Sequence, residues 1–165
     1  MIAPQEFKAT VGRFATGVTV VTTATPSTLH GMTANAFTSV SLDPPLVLVC
    51  VARRAWMHDL LLSAASFAVN VLAEDQAATA TWFASSDRPF GVEQFARVGW
   101  RPAARSRAPL LDGAVAHLDC DLHEALPGGD HSVVLGEVTR LARPVDAPPL
   151  LYYEGRYGRW EPTSG

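Results

Sequence analysis

The sequence predicts a mainly-β fold, an antiparallel β-barrel with two or three helices packed outside it. Three observations carry that expectation. Apolar and polar residues alternate through several segments, as at Phe67, Val69 and Val71 and from Val115 to His123. A continuous apolar run from Leu46 to Val51, bounded by Pro44-Pro45, suits a strand buried on both faces. Strand-like segments outnumber the short stretches in which apolar residues follow a helical period.

Phe7, Val11 and Phe14 recur at helical spacing, which predicts a short amphipathic helix from about Pro4 to Phe14. Val18 to Ala24 is rich in Val and Thr and reads as a strand. Pro26-Ser27 starts a turn that returns the chain as a strand holding Gly31 to Phe37. After the apolar run, Trp56, Leu60, Leu61 and Ala64 share one helical face, so a helix is expected over Arg54 to Ser63. Asp75 to Ala84 is Ala-rich, with Glu74 and Asp75 where a helix N-terminus favours negative charge. Spacing assigns Trp56 and Trp82 to the core.

From Ser85 to Pro109 the chain is polar and broken by Pro89, Gly91, Gly99, Pro102 and Pro109. It reads as a long excursion with little regular structure, of the kind that covers a site or a subunit interface. Val115 to His123 places Ala116, Leu118, Cys120 and Leu122 inward. Gly128-Gly129 turns the chain into a strand from His131 to Val138. Leu150 to Tyr153 is a last short strand before a turn at Gly155-Arg-Tyr-Gly158. There is no internal repeat or linker, and 1–165 reads as one domain.

At 165 residues, with 48% hydrophobic and 18% charged residues, the chain can bury a real core. A net charge of −3 gives no electrostatic reason to expect nucleic acid or an anionic membrane as partner. No apolar stretch approaches the roughly 20 residues a membrane helix needs. Met1 to Lys8 lacks the basic-then-apolar pattern of a secretory signal, so the cytoplasm is the expected compartment. Cys50 and Cys120 have no CxxC spacing and sit in apolar strands, as inert buried thiols do.

Thr33, Ala34, Asn35, Thr38, Ser39 and Ser41 form a wall of small residues beside the apolar run. Such a wall leaves backbone N–H groups open to a ligand; its plainer reading is an edge strand with exposed hydroxyls. Arg53 and Arg54 either bind a phosphate or face water at a helix start. His117, Asp119, Asp121 and His123 share one strand face, but neighbours there stand about 6.8 Å apart. The polar face of a half-buried strand explains them without metal. Arg97, Arg101, Arg105 and Arg107 read as a solvated face, with a nucleotide 2′-phosphate as the weaker option.

Gly31-Met-Thr-Ala-Asn-Ala-Phe-Thr-Ser-Val-Ser-Leu-Asp-Pro-Pro45 resembles the first motif of the flavin reductase family, whose fold is an FMN-binding split β-barrel. Gly129-Asp130-His131 with Leu135-Gly136-Glu137-Val138 is similar to the second motif, and Leu151-Tyr-Tyr-Glu-Gly-Arg-Tyr-Gly158 to the C-terminal one. The resemblance runs from about Phe7 to Trp160. It implies a homodimer that reduces FMN or FAD with NADH or NADPH and supplies a separate monooxygenase. It places the isoalloxazine against Thr33, Ala34 and Asn35 and backbone groups of Ser39, Val40 and Ser41. It places the ribityl phosphate near Cys50, Val51, Arg53 and Arg54, and near Phe83 and Ala84. His131, Tyr153, Arg156 and Tyr157 would be nearest the nicotinamide nucleotide. Relatives carry a small polar residue where this chain has Arg53-Arg54-Ala55-Trp56, so the choice between FMN and FAD stays open. No side chain is expected to be indispensable to hydride transfer, because the cofactor carries the reactive centre. The alternative reading is a flavin-binding electron carrier or storage protein of the same fold. A barrel binding another planar ligand such as haem leaves the first motif without a use.

Overall fold

The computed structural model describes residues 2–161 and 163. The elements in order are α1 (Pro4–Val11), β1 (Thr16–Gly17), β2 (Thr19–Ala24), β3 (Leu29–Ala34), β4 (Phe37–Leu42) and β5 (Pro45–Ala52). They continue with α2 (Trp56–Ala64), β6 (Ser66–Val71), α3 (Ala77–Ala84), a 3-10 turn at Gly91–Phe95, β7 (Trp100–Pro102) and β8 (Pro109–Leu111). The last four are β9 (Ala116–Gly128), β10 (His131–Ala142), β11 (Leu151–Tyr153) and β12 (Arg156–Gly158).

Seven strands form one antiparallel sheet in the order β3-β2-β6-β9-β10-β5-β4. Its two outermost strands, β3 and β4, are joined by Asn35-Ala36 alone. Laid flat, seven strands would separate those edges by roughly 29 Å, and two residues span only about 10 Å. The sheet therefore curls until its edges approach, and the Cys50 amide donates to the Ala36 carbonyl at 3.0 Å. Val21, Val47, Val49, Val51, Phe67, Val69, Cys120 and Val134 fill the inside of the curl, closed by Met57 and Leu61 of α2.

Several expectations are corrected. Gly31 to Phe37 is not one strand: β3 ends at Ala34, and Thr38 to Ser41 belong to β4, which pairs with β5. On β5 only Val47, Val49 and Val51 are buried; Leu46, Leu48 and Cys50 face outward, half covered. The α2 face that packs inward is Met57 and Leu61, i and i+4, which leaves Trp56 72% exposed. Helix α1 has the expected amphipathic spacing but buries no residue, and Phe7, Val11 and Phe14 stand exposed.

The excursion is more ordered than its composition suggests. β7 and β8 form a hairpin over the outer face of the sheet, fastened to it by Asn70 of β6. Asn70 Nδ2 donates to the Val20 and Pro109 carbonyls (3.0 and 3.3 Å), and its Oδ1 accepts from the Leu111 amide (2.8 Å). Gln94, fully buried, fastens the 3-10 turn to β3: its Oε1 accepts from the Gly31 amide at 2.9 Å. Trp82 is half-buried, donates its indole N–H to the Gln94 carbonyl and lies under Arg97. Under the hairpin, His117 and Asp119 are buried instead of solvated. Asp119 accepts from the Arg105 and Ser106 amides, and His117 Nε2 donates to the Leu111 carbonyl. Asp121 pairs with Arg105 at 2.9 Å. The Gly155–Gly158 turn is tighter than expected. Glu154 and Gly155, both at positive φ, make a two-residue hairpin loop, and Arg156–Gly158 is strand β12.

Candidate functional site

Where the sheet edges meet, a groove of about 1420 Å³ opens. Asn35, Ala36, Phe37 and Thr38 form one wall with Leu48 of β5, and the β11–β12 hairpin forms another. The end of α1 and the segment from Gly12 to Thr16 close it. Of the candidate residues, the groove brings together Asn35, Tyr153, Arg156 and Tyr157. Tyr157 packs on Tyr152 with ring centroids 5.6 Å apart, and the two-residue loop fixes how Tyr153 and Arg156 project. Thr16 lines the groove, with its Oγ1 turned inward, sealed from solvent and, among the described residues, without a hydrogen-bond partner.

β4 is an edge strand bonded only to β5, so backbone groups on its far side are open. It presents Ser39, Val40 and Ser41 there; Val40 sits at an irregularity of the pairing with β5. The edge-strand reading of this stretch is thus met in β4.

A second group of candidates gathers at the end of β5. His131 sits opposite Ala52 across the β5–β10 ladder, and the Arg53 amide donates to the Asp130 carbonyl at 3.0 Å. His131 Nδ1 lies 2.8 Å from Asp130 Oδ1, and the imidazole holds that carboxyl below the usual carboxylate range. Arg53 and Arg54 are exposed in the turn before α2. Cys50, paired with Val133, is half-buried on the outward face and not the inert core thiol expected. Cys120 is, its thiol pushed up to about 12 by burial.

Four candidate side chains face elsewhere. Thr33 Oγ1 donates to the Ala80 carbonyl at 2.7 Å, tying β3 to α3. Phe83 and Val51 are fully buried core residues, so they offer a ligand no side-chain surface. Ala34 is buried as well, whereas Ala84 is exposed at the end of α3.

Sequence reasoning missed Lys8, Arg13, Phe14, Thr16 and Tyr152, all of which line the groove. The exposed apolar stripe of α1 was the available signal, but a helix period alone does not say what covers it. It also missed Phe90, which sits against Trp56 with centroids 5.5 Å apart.

The model for the flavin reductase like domain matches residues 11–161. An NADH-dependent FAD reductase from Streptomyces globisporus is 49% identical, over 93% of this chain and 84% of its own length. The reductase subunit of a flavin-dependent monooxygenase from Rhodococcus jostii is 37% identical, over 98% of this chain and 80% of its own. A Streptomyces globisporus NADH:FAD oxidoreductase, solved in complex with NAD and FAD fragments, superposes with a TM-score of 0.91 at 43% identity. That match covers all of this chain and 99% of the solved one. On this evidence of sequence, fold and groove, the chain belongs to the flavin reductase like domain family.

Proposed function

We propose that this chain reduces FMN or FAD with NADH or NADPH and supplies the reduced flavin to a separate flavin-dependent monooxygenase. The observation that carries the reading is the groove, lined by Asn35, the start of β4 and the Tyr153–Tyr157 hairpin. Its size suits a flavin with a second planar group against it. Bound flavin supplies the hydride acceptor, chemistry no side chain here could provide.

The chain's own work is placement. Outward backbone groups of the Ser39–Ser41 edge donate to the flavin edge where negative charge collects. Asn35 holds that ring edge in register, and Tyr153, Tyr157 and Arg156 hold the nicotinamide nucleotide over it. Arg53 and Arg54 receive the flavin phosphate. His131, steadied by Asp130, contacts the nicotinamide nucleotide beyond the end of β5. The curled sheet is the split barrel of the family, supported by the Asn35-Ala36 link between its edges.

The chain acts as a homodimer in the cytoplasm. Leu48, Cys50, Val133 and Leu135 make a half-covered apolar face beside exposed Leu126, and Phe7, Val11 and Phe14 add a second apolar surface. Faces of this kind are covered in a stable protein, here by a second copy. Among the described residues no helix is long and apolar enough to cross a membrane.

NADH and NADPH absorbance, followed with added FMN, FAD and riboflavin, tests the activity. Oxidation that saturates with flavin supports it. Tight flavin binding with neither nucleotide oxidised would make the protein a carrier instead.

A further inference from the structure

We infer that Trp56 and Phe90 form a stacking platform for the adenine of FAD, with Arg53 and Arg54 taking its pyrophosphate. The inference rests on the flavin-reductase reading and adds a preference for FAD over FMN.

Trp56 and Phe90 are 72% and 51% exposed, yet their rings meet edge to face at 62° from segments far apart in the chain. The pair is supported from beneath. Phe90 packs on His30, centroids 5.6 Å apart, and His30 is buried with its Nδ1 accepting from Gln94 Nε2 at 3.3 Å. Gln94 is itself buried and bonded to the Leu29 and Gly91 carbonyls. The platform is thus held by the fold, while most of the indole stays open to solvent. An exposed, pre-positioned aromatic surface beside cations is what stacks a nucleobase and binds its phosphates.

The cations are at hand. Arg53 and Arg54 directly precede α2, within three residues of Trp56, and among the described residues neither makes an ion pair. Arg88, on the Phe90 side, is committed to the Ser85 and Gly31 carbonyls. The two arginines of the turn are therefore those free for a pyrophosphate. FMN ends at one phosphate; FAD continues through a second to adenosine, and Trp56 lies where the chain continues past the arginines. Of the proposed nicotinamide contacts, Tyr153, Arg156 and Tyr157 lie in the groove, whereas His131 borders the arginine turn, so titration with both dinucleotides separates FAD's adenine from that of NADH.

Equilibrium titration calorimetry of wild type, Trp56→Ala and Phe90→Ala with FAD, FMN, ADP and NADH tests this. The expected result is FAD affinity weakened about thirtyfold in each variant, the middle of the range for one stacked base, with FMN within about twofold. ADP binds wild type and loses affinity in parallel with FAD, and Trp56→Tyr restores most of the FAD affinity. FAD and FMN weakening together, or neither changing, overturns the inference. So does a loss confined to NADH, which would assign the platform to the other dinucleotide. Wild type that binds neither flavin would sink the flavin reading itself, a separate result.

Discussion

The Phe83 ring presses on the backbone of Gly31 so closely that a Cβ there would stand 2.8 Å from Phe83 Cε1. Phe83 is fully buried and packs on Phe95 at 5.3 Å, so it cannot withdraw. The first glycine of the motif therefore serves helix–sheet packing and not a ligand. Gly31→Ala should cost about 1–3 kcal/mol by overpacking. Gly17→Ala is the control, because nothing lies within 4 Å of a Cβ at Gly17. Urea denaturation of both variants checks this; equal midpoints for the two would refute the packing role.

Asn70 joins β2, β6 and β8 from the interior, with no exposure to water. Asn70→Ala leaves the Leu111 amide without its acceptor and takes a donor from the Val20 and Pro109 carbonyls, of which Pro109 keeps the Thr22 hydroxyl at 2.7 Å, at about 3 kcal/mol in all. For a chain of this size that lowers Tm by about 6–12 °C. Thermal unfolding followed by circular dichroism reads it directly. A shift under 2 °C would mean that the β7–β8 hairpin is not held through Asn70.

His30 gives stability a pH dependence of predictable sign. Burial first, then the nearby Arg88 guanidinium, lowers it from the usual 6.5 to about 4. The groups that face it are Phe90, Gln94 and Arg88. Between those two values the unfolded chain binds a proton that the folded chain refuses. Stability from this group is complete above pH 6.5 and falls as pH drops toward 4. The gap of about 2.5 units, at about 1.4 kcal/mol each, sets an upper bound of about 3 kcal/mol. His30→Phe should flatten the fall in denaturation midpoint across that window, and an unchanged slope would assign it to other groups.

What the sequence made legible and what it hid separate along physical lines. Alternation placed β6 and β9, because a period of two follows from one face being buried, and the Gly128-Gly129 turn placed β10. It could not tell that Leu46, Leu48 and Cys50 stay half open, since an apolar run looks alike whether its second face meets this chain or another. The same blindness left Trp56 in the core: Met57 and Leu61 fit the helical period equally well, and only the packed structure chooses between the faces. The stretch from Ser85 to Pro109 looked loose because Asn70 and Gln94 fasten it through side chains distant in sequence. The motif residues were legible, but their division of labour was not. Thr33 and Phe83 hold α3 against β3, while Asn35 and the Tyr153–Tyr157 hairpin line the groove.

His131 tests whether binding and chemistry are separate here. It stands half exposed at the start of β10, its Nδ1 2.8 Å from Asp130 Oδ1, next to the turn that carries Arg53. Hydride transfer to a flavin needs no proton relay, so the Asp130 contact serves to orient the imidazole. His131→Ala should therefore raise KM for the nicotinamide nucleotide by about tenfold and leave kcat within about threefold. Asp130→Asn, which keeps the imidazole but loosens its orientation, should give a smaller rise in the same KM. Steady-state rates at saturating flavin with varied NADH separate the two constants. A kcat abolished at saturating NADH would make His131 part of the chemical step, and the assignment of all catalysis to placement would fail with it.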